Sequence, residues 1–176
     1  MMPATTTRMQ GAAAAGVYLL AITTANALAA RYGPAITIPN AFLLIGLDLT
    51  LRDYLHEAWQ GRQLALRMGA LIVAGGLLAY LAVPAAGPIA VASAVAWTLA
   101  SATDALVYQL LRRSGRERAV MISNGTSAAV DSIVFPTLAF GAVLPLVSIA
   151  QWLAKVLGGA AWLWVIRALS ERRRAA

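Results

Sequence analysis

Cysteine is absent from the 176 residues, and histidine occurs once, at His56. The first absence removes disulfides, iron–sulfur clusters and a thiolate nucleophile. The second leaves no multi-histidine metal centre. Charge is scarce too, with Asp, Glu, Lys and Arg at 12% of the chain, where a soluble domain is nearer about a quarter. No Walker A loop, GxGxxG, GxSxG or kinase signature occurs, so familiar ATPase, dinucleotide and hydrolase chemistry lacks its loop. The HEAWQ stretch beginning at His56 has no second histidine and is not a zinc-binding HExxH helix. The chain is therefore expected to be no enzyme, with no catalytic residue, no cofactor and no metal.

What fills the chain instead is apolar: 60% hydrophobic residues and a mean hydropathy of +0.72. A membrane-crossing helix needs about 20 mostly apolar residues, and six runs qualify, at about 9–30, 37–57, 64–83, 88–111, 119–141 and 145–167. The longest uncharged stretch, the 36 residues between Arg67 and Asp104, is too long for one span, and VPAAGP at Val83–Pro88 divides it. The expected fold is all-α, a single domain over 1–176 with six transmembrane helices and nothing left over for a soluble domain. The first run lacks a separate leader with a cleavage site and is read as a retained helix.

The basic residues set the orientation, because Lys and Arg in short loops stay on the cytoplasmic side. Twelve of them fall at one end of the six runs: Arg8, Arg52, Arg62, Arg67, Arg112, Arg113, Arg116, Arg118, Arg167, Arg172, Arg173 and Arg174. Arg31 alone falls at the other, and Lys155 lies inside a run. Both termini are thus expected to be cytoplasmic, in the cytoplasmic (inner) membrane. The net charge of +7 is scattered in clusters between apolar runs rather than gathered on one soluble face, so nucleic acid is not an expected partner.

Three ionisable residues break the apolar pattern at one depth. Asp48, Asp131 and Lys155 each lie about ten to twelve residues into their helices, roughly 15 Å from an interface at about 1.5 Å per residue. A charge there costs roughly 2.5–3.5 kcal/mol even on the lenient insertion scale, so each is a candidate for function. Helical spacing adds neighbours: Asn124 and Phe135 with Asp131; Gln151 and Trp162 with Lys155; Trp97, Ser101 and Tyr108 with Asp104; Arg52 one turn after Asp48. Asn26 stands alone in the first helix. Pro136 has no N–H to donate, which frees the Ser132 carbonyl beside Asp131. Structural ion pairing for Asp131 with Lys155, and for Asp48 with Arg52, competes with ligand binding, as interhelical bonding does for Asn26 and Asn124. His56 and Glu57 are expected to face solvent or headgroups. Alanines at 21, 25 and 29 form a small-residue stripe, for packing within the bundle or for docking a partner helix.

Five blocks, ITTANALA (Ile22–Ala29), GLDLTLRD (Gly46–Asp53), ATDALVYQLLRRSG (Ala102–Gly115), SNGTSAAVDSIVFPTLAFG (Ser123–Gly141) and AQWLAKVL (Ala150–Leu157), resemble in order those of the vitamin-uptake-like family of queuosine-precursor transporters. The resemblance implies a six-helix inner-membrane importer of 7-cyano-7-deazaguanine or its aminomethyl relative, with Asp48, Arg52, Asp131 and Lys155 as functional residues. The residues themselves suit such a cargo. A carboxylate can accept the paired donors of N1–H and the exocyclic amine, Asn124, Gln151 or Lys155 can donate to O6, and Phe135, Trp162 or Trp97 can face the ring. The site is expected at the midplane between the second, fifth and sixth helices, with Asp131, Lys155, Asn124, Asp48, Arg52, Gln151, Asn26, Asp104, Phe135 and Trp162 as its candidates. The expected partners are a small 7-deazaguanine-type substrate and the lipid bilayer. A homodimer, and separate energising subunits that would make this chain a binding subunit of an ATP-driven system, stay open.

Overall fold

A computed structural model describes residues 4–59 and 63–175. Among them the chain forms six helical rods and no strand. The first is α1 (Ala4–Tyr32). The second is composite: a 3-10 turn (Pro34–Ile36), α2 (Thr37–Asn40), a π-helical stretch (Ala41–Ile45) and α3 (Gly46–Ala58). Then come α4 (Leu64–Ala82), α5 (Gly87–Leu111), α6 (Arg116–Phe140) and α7 (Pro145–Ala175).

The breaks fall where backbone chemistry puts them. Gly33 takes φ +74°, open to glycine at little cost, and Pro34 starts the next turn. Val83 is extended, as a residue before proline prefers. Gly115 and Gly141, both at positive φ, separate α5 from α6 and end α6, and Pro145 opens α7. Four helical stretches are long and apolar enough to cross a membrane: Gly11–Tyr32, Pro34–Arg52, Pro84–Ser114 and Pro145–Ile166. Leu66–Ala82 is apolar but shorter, and α6 carries Asn124, Thr126, Ser127, Asp131 and Ser132 along its length.

Some helices extend beyond the expected runs, α1 beginning at Ala4 rather than at 9, and two places differ further. α7 runs on to Ala175, past the expected end at 167, because nothing in ALSERRRA breaks a helix. The second rod is not one regular helix. Its π stretch widens a turn and leaves carbonyls that the ordinary i to i−4 pattern would have used. The Trp162 indole N–H donates to one of them, Leu43 O, at 2.8 Å.

Close approach of backbones organises the packing, as expected where packing replaces the hydrophobic effect. The second rod crosses α7 at Gly46 and Gly158: a Cβ on Gly46 would lie 2.6 Å from the Gly158 carbonyl carbon, and one on Gly158 would strike Phe42 O. α1 lies along α4, where Gly75 leaves room for Ile22 and its carbonyl accepts from Thr23 Oγ1 at 3.3 Å. The alanine stripe, Ala21, Ala25 and Ala29, is buried inside the bundle. It is not the exposed docking face it could have been, because α1 turns that side inward. Tyr18, Ile22, Leu55 and Met68 form an apolar cluster beneath it, with Trp59 and Trp97 packed against them. The side chains of His56 and Glu57 lie outside the described residues, as does the segment 60–62.

Candidate functional site

Five rods turn side chains toward one narrow recess of about 40 Å³. α1 supplies Ala25, Asn26 and Ala29; the second rod supplies Thr37, Asn40, Ala41 and Ile45; α5 supplies Ser93. The expected trio of second, fifth and sixth helices is thus enlarged by the first and fourth. α6 brings Asp131 and Phe135, and α7 brings Gln151 and Lys155, one turn apart and therefore on one face.

The chemistry centres on Lys155. Its side chain is 4% exposed, and its ammonium forms an ion pair with Asp131 Oδ2 and donates to Ser132 Oγ at 2.9 Å. Asp131, at 25% exposed, is the member open to the recess. One ammonium thus spans two adjacent residues of α6. It is the Ser132 hydroxyl, rather than its carbonyl, that the structure turns to use; Pro136, one turn on, is fully buried.

A second, neutral group of bonds closes the other wall. Gln151 Nε2 donates to Thr37 Oγ1 at 2.7 Å, and Thr37 Oγ1 in turn donates to Pro34 O at 2.5 Å. Asn40 Nδ2 donates to Ala25 O at 3.2 Å, tying the second rod to α1. Asn26 is 4% exposed, borders the recess, and has no hydrogen-bond partner among the described residues. A buried amide that faces a cavity unbonded is a group waiting for a ligand or water.

Of the ten candidates, the recess gathers Asp131, Lys155, Gln151, Asn26 and Phe135. It does not gather the other five. Asp48 is buried within one turn of Ile45 and close enough to Asp131 and Lys155 to feel their charge, but it does not line the recess, and Arg52 lies beyond it. Asn124 is exposed to the outside of the bundle, because α6 offers Gly125 rather than Asn124 to α7: Gly125 O accepts from Trp152 Nε1 at 3.0 Å. Asp104 lies on α5, three turns from Ser93. Trp162 is used on the π stretch instead of on a ring.

Thr37, Asn40 and Ser93 line the recess without having been singled out. For Asn40 the signal was present, an amide one turn inside an apolar run that follows a proline. For Ser93, inside AVASAVA, there was none.

The recess offers donors at Lys155, Gln151 and Asn26, acceptors at Asp131 and Asn26, and an aromatic wall at Phe135. Those groups match a small planar heterocycle carrying both donors and acceptors, although about 40 Å³ is room for only a few waters, so the recess must widen to admit one. Among known families, the chain matches the one described as "putative vitamin uptake transporter" over residues 7–169. No curated protein and no solved structure matches it significantly.

Proposed function

Since this chain belongs to the vitamin uptake transporter family, we propose that it imports a 7-deazaguanine, the queuosine precursor 7-cyano-7-deazaguanine or its aminomethyl relative, through the Asp131–Lys155 recess. The observation that carries this reading is the buried ion pair itself, placed where polar groups from five rods converge. An ion pair needed only for packing gains nothing from a bordering cavity and an unbonded Asn26 amide. A cargo that exchanges bonds with the pair uses both.

In this reading the cargo's paired N–H donors replace Lys155 on Asp131, and the released ammonium donates to O6. Each ion keeps a hydrogen-bonding partner through the exchange, and the cargo's dipolar edge lies between the two charges it separates. Asn26 takes a ring nitrogen and Phe135 covers one face. Six spans in the cytoplasmic membrane, with both ends inside, would present the recess alternately to the two sides.

The test is uptake of labelled 7-cyano-7-deazaguanine by liposomes holding the purified chain alone. Saturable uptake without any ATPase subunit is the expected result. If uptake appears only when an ATP-driven partner is added, the chain is a binding subunit and not the carrier. In a host unable to make the precursor, queuosine in tRNA should depend on this chain when precursor is scarce.

Orientation has its own check. Single cysteines at Arg118 and Ala85, both exposed, should react with an impermeant thiol reagent from opposite faces, Arg118→Cys from inside. Labelling of both from one face would overturn the six-span topology.

A further inference from the structure

Five buried side-chain polar atoms have no hydrogen-bond partner among the described residues: Tyr18 Oη, Asp48 Oδ1, Trp97 Nε1, Asp104 Oδ1 and Ser148 Oγ. Ser148 sits near the start of α7. The other four are displaced the same way along the bundle. Each lies on a rod that also lines the recess, displaced along it toward the end that carries Ala58 and Leu111. On α1, Tyr18 is eight residues from Asn26, and on the second rod Asp48 is eight from Asn40, about 12 Å in each case. On α5, Trp97 and Asp104 follow Ser93 by four and eleven residues. Rods that run in opposite directions agree on the direction of the shift, though not on its size, which is about 6 Å at Trp97 and about 16 Å at Asp104; the four make a deeper polar layer.

The layer is cohesive. Tyr18, 0% exposed, and Asp48, 6% exposed, are electrostatic neighbours, and Trp97 packs on the apolar cluster that contains Tyr18. Ser101 lies one turn from Trp97 and three residues before Asp104, on the same face of α5. The recess is bonded more fully, although Asn26 there is not. There Lys155, Asp131, Ser132, Gln151, Thr37 and Asn40 are bonded to one another or to backbone. Here the Trp97 indole N–H and one oxygen each of Asp48 and Asp104 are buried without a hydrogen-bond partner among the described residues, and the Tyr18 hydroxyl has only the Asp48 carboxylate beside it, a state that interiors rarely leave without a ligand or water.

We propose that this layer is a second station for the cargo, entered from the recess and left toward the face that carries Arg118. The inference rests on the transport reading above and extends it to the path. Two acceptor carboxylates with an O–H and an N–H donor suit the same class of ligand, a planar heterocycle with a donor edge and an acceptor oxygen, and the Trp97 and Tyr18 rings supply flat walls.

The natural lack of cysteine allows a test that does not depend on knowing the cargo. Ser101→Cys in the full chain in liposomes should react with a small impermeant methanethiosulfonate from the Arg118 face and not from the other. Silence from both faces would mean dry packing and overturn the station.

The second arm uses labelled 7-cyano-7-deazaguanine. Trp97→Phe keeps the ring and deletes the donor, and should slow uptake about tenfold, the loss of one good hydrogen bond in transit. Its equilibrium Kd, set by the recess, should stay within about twofold of the parent. Unchanged uptake, or a Kd that weakens in step with uptake, would overturn the proposal. Tyr18→Phe provides the same reading if Trp97→Phe does not fold. A parent chain that fails to bind this probe sinks the cargo assignment alone, since the thiol result still decides whether the layer is on the path.

Discussion

Lys155→Ala is expected to abolish the proposed uptake and to lower stability by about 3–5 kcal/mol, the usual consequence of removing one member of a buried ion pair. The ammonium it deletes is 4% exposed and holds both Asp131 and Ser132. Without it the Asp131 carboxylate keeps its charge at mid-bundle with nothing to face. Asp131→Ala does the converse and strands the cation. The double variant, Asp131→Ala with Lys155→Ala, separates packing from transport, because deleting both charges together is often close to neutral. Its thermal unfolding in detergent is therefore expected to return toward the parent, while its uptake stays absent. Transport by the double variant would show that the pair only holds helices together.

Gly158→Ala is the second large effect, and it concerns backbone. The added Cβ would run into Phe42 O, and the reciprocal change at Gly46 would meet Gly158 itself. Neither obstacle is the flexible end of a side chain, so α7 and the second rod must part. The cost is expected at the upper end of overpacking, about 3 kcal/mol. Parting them also pulls Gln151 from Thr37, so binding should weaken along with stability. Gly159→Ala is the control, because a Cβ there meets nothing within 4 Å. Equal melting temperatures for the two variants would contradict the crossing described here.

Much of this arrangement is written openly in the chain. Charge-free runs bounded by arginines mark the rods, and VPAAGP marks the turn between α4 and α5. Asp131 and Lys155 stand out because ionised groups are costly in an apolar run, and two at equal depth imply one another. Thr37 and Ser93 do not stand out, for a physical reason. Hydroxyls in buried helices commonly bond back to their own backbone, as Thr98, Thr103, Thr126 and Thr137 do here on carbonyls one turn earlier. A hydroxyl that lines a recess looks the same in sequence. Asn124 misleads in the opposite sense. It lies seven residues before Asp131, which is about 20° away from two whole turns, and α6 meets α7 through Gly125 at that level. Shared periodicity made them companions, whereas packing kept only Asp131 inside. The link between resemblance and geometry is likewise uneven: of GLDLTLRD, Gly46 serves the helix crossing and Asp48 the deeper layer, so one block contributes to two separate places.

The widened turn at Ala41–Ile45 divides the second rod into halves that need not move as one. Upstream of it stand Thr37 and Asn40, which wall the recess, and downstream stands Asp48 in the deeper layer. An α-helix advances about 100° per residue, so absorbing the surplus residue into regular helix would swivel the upstream half through about that angle against the downstream half. Thr37 and Asn40 would then face away from Gln151 and Ala25 while Asp48 kept its bearing. The Trp162 indole on Leu43 O would have to let go for that to happen, and a rod built this way would uncouple the two polar levels.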